Sequence, residues 1–200
     1  MSVIGSALVT VTAAAVLLLL ALGLLYNRLV TTRNRYENAF AQIDVQLKRR
    51  HDLIPNLVTT VREYLQYERE TLTAVTAARA RATAAAAAAA AAPGGTAVMR
   101  ELSGAEGALT GALGRLAVSV EKYPDLKANA TTLRLMEELA SAENRVGFAR
   151  QAYNDAVTVY NTACQTVPGV LVARPLGFVP AALFVIDDEA QRAVPQVAAL

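Results

Sequence analysis

The chemistry that this sequence lacks narrows it more than the chemistry it has. It contains one cysteine, Cys164, so an internal disulfide framework and a cysteine-based zinc cluster are both excluded. A lone cysteine on a helical face reads as a small core residue, and it fits a reducing compartment. One histidine, His51, stands between Arg50 and Asp52 and reads as exposed in a helix–helix turn. There is no glycine-rich phosphate loop, H-E-x-x-H, G-x-S-x-G or EF-hand pattern. Glu137 and Glu138 are adjacent, so they diverge around a helix and cannot pair as a carboxylate site. The ferritin-like Glu-x-x-His motif is missing too. A formal net charge of +2, with no basic stripe interleaved with aromatics, speaks against nucleic acid as a partner. The expectation is a non-enzymatic chain without metal or cofactor.

Charge is also missing from the first 27 residues, and Val3–Leu25 reads VIGSALVTVTAAAVLLLLALGLL. A helix crosses the hydrocarbon layer with roughly 20 apolar residues, so this run is long enough. A cleaved signal peptide would carry a basic n-region and a small-residue exit, and neither is found here. Arg28, Arg33 and Arg35 follow the run immediately, offset only by Glu37. The positive-inside rule then puts the N-terminus outside and the rest in the cytoplasm; the opposite orientation, with that part on the outer face, is the alternative. Tyr26 and Arg28, with Phe178 and Phe184 from an apolar C-terminal stretch, are the candidate membrane-interface contacts.

Apolar stripes then organise the chain into about four long helices. Leu29, Tyr36, Phe40, Ile43 and Leu47 share one face, Asp44 and Lys48 form an i,i+4 pair, and Lys48-Arg49-Arg50 suits a solvated helix C-terminus. Asp52 is placed to cap a second helix with Pro55 in its first turn, and Ile54, Leu57, Val61, Tyr64, Leu72 and Val75 form its stripe. That helix would run through nine alanines, Ala84–Ala92, which read as a spacer, to Pro93-Gly94-Gly95. Leu102, Ala105, Leu109, Ala112, Leu116 and Val120 mark a third helix, ended at Tyr123-Pro124. The fourth carries Leu135, Leu139, Ala142, Val146, Ala149, Tyr153, Ala156, Tyr160 and Ala163 in heptad spacing up to Pro168-Gly169. Short connections make neighbouring helices antiparallel. The predicted fold is all-α: an anchor over 1–27 continuing into an antiparallel bundle over 28–168, then a proline-containing apolar tail over 169–200.

A helix from 28 to 50 rises roughly 35 Å, whereas one from 53 to 92 is roughly 60 Å long. The longer one would return the alanine tract to the lipid surface, or break near Arg79–Arg81. The apolar stretch VLVARPLGFVPAALFVI of the tail is interrupted by Pro175 and Pro180, so it reads as an interfacial segment or one folded onto the bundle, not a second span.

A line of polar residues remains. Glu143, Arg150, Asn154 and Asn161 run beside the stripe of the fourth helix, the two asparagines each following a tyrosine seven residues apart. The first helix offers Arg33, Asn34, Asn38 and Gln42. These are candidates for inter-helix hydrogen bonds that set register, or for a ligand-binding polar seam.

Two blocks, YNRLVTTRNRYENAFAQIDVQLKRRHDLIPNLV and YPDLKANATTLRLMEELASAENRVGFARQAYNDAVTVYN, resemble the LemA family of bacterial membrane proteins over about Tyr26 to Asn161. The resemblance implies a short external N-terminus, one membrane helix and a mostly helical cytoplasmic part, and brings no activity. The polyalanine run and the tail after Pro168 depart from it. Together these readings lead to a membrane-anchored scaffold or adaptor acting on a protein partner or on neighbouring copies; the alternative is a module that binds a small or lipid-derived ligand in the polar seam.

Overall fold

The computed structural model describes residues 2–65 and 67–186, so the last part of the predicted tail, 187–200, lies outside the described residues. The described residues are mostly helical and contain no strand. Helix α1 spans Ser2–Arg62, α2 Arg69–Ala91, α3 Thr96–Glu121, α4 Pro124–Lys127, α5 Ala130–Gln165 and α6 Gly169–Ala173. The apolar run forms the N-terminal part of α1; its described residues 6–24 are exposed, with Leu17, Leu18, Leu19 and Leu20 all more than 60% exposed, and Leu25 at its end packs against the bundle core. Beyond it, α1, α2, α3 and α5 form an antiparallel bundle with a core in two halves. Leu29, Tyr36, Phe40, Ile43 and Leu47 meet Val146, Tyr153, Val157 and Tyr160 in the half near the apolar run. Ile54, Leu57 and Val61 meet Leu72, Val75, Leu109, Leu116, Leu135 and Leu139 in the distal half.

The stops at Pro93-Gly94-Gly95, Tyr123-Pro124 and Pro168-Gly169 fall where the helices end. Asn129 adds an N-cap to α5, its Oδ1 accepting from the backbone N–H groups of Thr131 and Thr132.

One boundary is corrected. The predicted turn at His51–Asp52 does not exist: α1 runs on through Pro55 to Arg62, and the return helix begins only at Arg69. Proline inside a helix removes the N–H that would reach the carbonyl four residues back, which here is that of His51. Arg79 of α2 donates its Nε–H to this carbonyl at 2.7 Å. The break expected at Pro55 is therefore repaired by a neighbouring helix.

The geometric argument for the alanine tract changes with it. The part of α1 beyond residue 27 is about 52 Å long and α2 about 35 Å, so α2 ends well short of the apolar run. It is unbroken at Arg79–Arg81. Gly94, just past its end, packs against Tyr36, about 15 Å along α1 from Tyr26. Nor is the tract a spacer. Ala85, Ala86 and Ala89 of the tract are buried on one helix face in line with Ala82 before it, so the alanines are themselves the packing surface. Tyr64, assigned to an apolar stripe, lies past the end of α1 and is exposed.

Replacing Arg79 with methionine leaves the His51 carbonyl unpaired and should destabilise the bundle by about 1–3 kcal/mol in denaturant titrations followed by circular dichroism. Pro55→Ala restores the missing N–H, so Arg79→Met should cost markedly less in that background.

Candidate functional site

Two polar constellations form inside the bundle. The first gathers where all four long helices meet. Glu106 of α3 is fully buried and accepts from Arg50 Nη1 and His51 Nε2 of α1, both at 2.8 Å. Arg50 Nη2 also donates to Thr110 Oγ1 at 2.9 Å and reaches Glu143 of α5 at 3.5 Å. On the other side of the imidazole, His51 Nδ1 lies 3.3 Å from Thr83 Oγ1 of α2. A buried carboxylate needs such partners, because its desolvation is otherwise too costly. This corrects two expectations: Arg50 is not part of a solvated helix end and His51 is not in an exposed turn, since they are 1% and 2% exposed. Because α1 does not stop at residue 50, the turn carries on and brings both side chains onto the core face. Sealed in this way, the His–Glu pair is closed off from solvent and ties α1 to α3. Among the described residues, no group of three or more His, Cys, Asp or Glu could hold a metal ion.

The second constellation is the tyrosine–asparagine repeat of α5, and it binds the chain's own tail. After α6, residues 178–186 form an extended strap over the bundle. Asn161 accepts from the N–H of Ala181 at 2.8 Å and donates to its carbonyl at 2.9 Å. Asn154 does the same to Phe184, at 2.9 and 3.1 Å. Tyr160 and Tyr153 donate to the carbonyls of Val179 and Ala182 at 2.9 and 2.8 Å. The match is metric. Seven helical residues cover about 10.5 Å, and three extended residues cover about 10 Å, so each heptad of α5 reads one tripeptide of an antiparallel strap. Phe178, Ala181 and Phe184 are buried at the same three-residue interval. The α2–α3 turn closes the other side, where the Gly94 carbonyl accepts from Ala182 N–H at 2.8 Å. Gly94 has φ +82°, and a Cβ there would come within 2.8 Å of the Ala181 Cβ, so only glycine fits.

The remaining predicted site residues disperse. Arg33, Asn34, Asn38 and Gln42 are exposed on α1, and Arg33 pairs with Glu37 at 2.8 Å. Arg150 is half-buried, and Glu143 is half-exposed beside Arg50. Of the candidate membrane-interface contacts, Tyr26 and Arg28 are exposed, and Phe178 is buried with its ring 5.8 Å from that of Tyr26. Phe184, in the strap, is fully buried against the bundle, which removes it from any lipid contact.

Under the strap, the Tyr36 ring lies tilted against that of Tyr160 and edge to face with that of Tyr153, with ring centroids at 5.0 and 6.3 Å. Burial pushes the phenols of Tyr153 and Tyr160 well above the usual tyrosine range, and for Tyr160 a hydrogen bond with Cys164 adds to the effect. Burial also raises the Cys164 thiol, against an opposing contribution from Tyr160, so it is held as a protonated core residue.

Comparison with known proteins adds the following. The model of the LemA family matches residues 39–198, which carries the match past Pro168, where the resemblance read from individual residues fades. The magnetosome protein MamQ of Magnetospirillum gryphiswaldense is 29% identical over 171 residues, covering 76% of this chain and 62% of MamQ. MamQ 2 of Paramagnetospirillum magneticum is 26% identical over 80% of this chain and 64% of its own length. The chain thus spans a little under two thirds of these relatives. Protein LemA of Metamycoplasma hominis is 26% identical over 79% of this chain and 68% of its own.

Substituting Asn154 with leucine strands the N–H and carbonyl of Phe184 and should cost about 1–3 kcal/mol. Protease should then cut within 178–186 faster while the helical signal is kept. The raised phenols give a second expectation. Because the unfolded tyrosine ionises near about pH 10 while the buried one stays protonated, their contribution is complete below that pH and is lost as pH rises further. Unfolding midpoints should fall above about pH 10, and less steeply in the Tyr153→Phe/Tyr160→Phe variant.

Proposed function

The chain belongs to the LemA family, and from that premise we propose that it is a membrane-anchored, non-enzymatic scaffold or adaptor that acts through its helix surfaces on a protein partner or on neighbouring copies. One observation supports this above others: α1 passes from the apolar run into the bundle without interruption over 61 residues. A continuous helix fixes the bundle's direction and height relative to the bilayer, which suits a part that positions others and does not suit a tethered, freely diffusing enzyme. The relatives named as magnetosome proteins are in keeping with a role in organising a membrane.

The rival reading, a small ligand in the polar seam, loses its strongest residues, because both asparagine amides are engaged by the strap through oxygen and nitrogen. The outer faces retain apolar side chains that a partner could cover. Phe148 on α5 is 74% exposed and Val45 on α1 57% exposed. Aromatic side chains buried at the centre of an interface carry much of its binding energy, and Phe148 would supply one. Arg28, Arg33 and Arg35 beside the apolar run support an external N-terminus with the bundle in the cytoplasm.

A photo-crosslinking amino acid at Phe148, in the full chain in cells, should give an adduct of discrete mass that is missing when it replaces Thr158. No adduct at either Phe148 or Val45 would contradict the scaffold reading. Orientation is checked with Cys164→Ser and a single new cysteine: a membrane-impermeant reagent should label intact cells at Ser2 and not at Gly114, and the reverse pattern would place the bundle outside.

A further inference from the structure

The strap accounts for residues 178–186 and leaves unexplained the elbow that delivers it. After α5 ends at Gln165, the chain turns through Val167 and Pro168 into α6 and continues to Gly177. The inner side of this elbow is packed: Gly169, Val172 and Ala173 are buried, and a Cβ on Gly169 would collide with the carbonyl of Ala163. Its outer side is apolar and bare. Val167 is 79% exposed, Leu171 70% and Leu176 54%. Such a patch on a firmly held segment calls for a covering surface.

Its position in the fold says what covers it. Leu25, Arg28 and Leu29 of α1 line a small cavity together with Ala163, Thr166, Val167, Pro168 and Gly169. Tyr26 meets Phe178 edge to face. Leu25 is the last residue of the apolar run and Arg28 the first charge after it, so the elbow sits at the height where hydrocarbon gives way to headgroups. Arg174, in the middle of the elbow, is exposed and so is Arg28, two cations at the level of lipid phosphates.

We propose that the elbow, residues 167–176, is an interfacial foot. Val167, Leu171 and Leu176 rest in the boundary layer of the same bilayer that α1 crosses, and Arg28 and Arg174 meet its phosphates. This rests on the reading that the apolar run of α1 spans the membrane. With α1 it gives the bundle a second point of support and stops it from tilting about a single helix.

The chain has no tryptophan, so one introduced indole reports its own surroundings. The full-length protein is reconstituted into phosphatidylcholine–phosphatidylglycerol vesicles containing brominated phosphatidylcholine. Leu171→Trp and Leu176→Trp probe the foot, Leu18→Trp the span, and Val45→Trp a site about 28 Å along α1 from Tyr26. The foot predicts loss of emission at residues 171 and 176, strongest with bromines near the glycerol end. Loss at 18 should be strongest with bromines near the chain end, with none at 45. If 18 is quenched while 171 and 176 both behave like 45, the foot is wrong and the anchor stands. If 18 is not quenched, the anchor reading fails and the foot with it.

Discussion

The carbonyl of His51 is the point on which this fold turns. Pro55 takes away its helical partner, and Arg79 of α2 supplies another at 2.7 Å. A free carbonyl inside a bundle costs about as much as a lost hydrogen bond, and a proline there would normally end or kink the helix. Because the guanidinium fills the gap, α1 stays whole for its full 61 residues. Only an uninterrupted α1 brings Arg50 and His51 onto the face where they meet Glu106, and only then do α1, α2, α3 and α5 share one polar pin. The pin works by penalty more than by attraction. A buried ion pair adds little net stability, but any register that separated Arg50 from Glu106 would leave a charge buried alone.

The tail clamp repeats the same logic with neutral groups. An extended segment laid across a helical bundle exposes backbone groups that no helix can satisfy. The Tyr-Asn repeat answers with side chains that imitate the backbone: each amide both donates and accepts, as a neighbouring strand would. Gly94 lets the α2–α3 turn approach from the other side at a positive φ. The strap thus ties α5 to the α2–α3 turn in the half of the bundle nearest the apolar run. Together with α1 it braces the end of the bundle nearest the apolar run.

Much of this was legible in the sequence. The apolar stripes of α1, α3 and α5 are the buried faces, and the proline and glycine stops mark the helix ends, because periodicity and chain breaking are local properties. What misled was a residue whose meaning is not local. Pro55 behind Asp52 carries the signature of a helix start, and Arg79 cannot be paired with the His51 carbonyl from sequence distance alone. A turn at that point puts Arg50 and His51 in solvent and makes the alanine tract surplus length. The YN…YN repeat was visible as a polar line, but its partners are main-chain atoms of the strap, which carry no side-chain signal. The three-residue recurrence of Phe178, Ala181 and Phe184 was the one available clue to the match.

The central claim is that α1 is a single rod through Pro55, and a distance across that proline tests it most directly. With Cys164→Ser as background, spin labels at Gln42 and Thr59, both exposed, bracket the site. A continuous helix places their backbones about 25 Å apart. A turn at residues 51–52 would fold the two positions against each other, at about 10 Å. A narrow pulsed-EPR distribution near the longer distance is the expected result; a population centred on the shorter one would contradict the continuous α1, and with it the buried pin and the rigid coupling to the anchor.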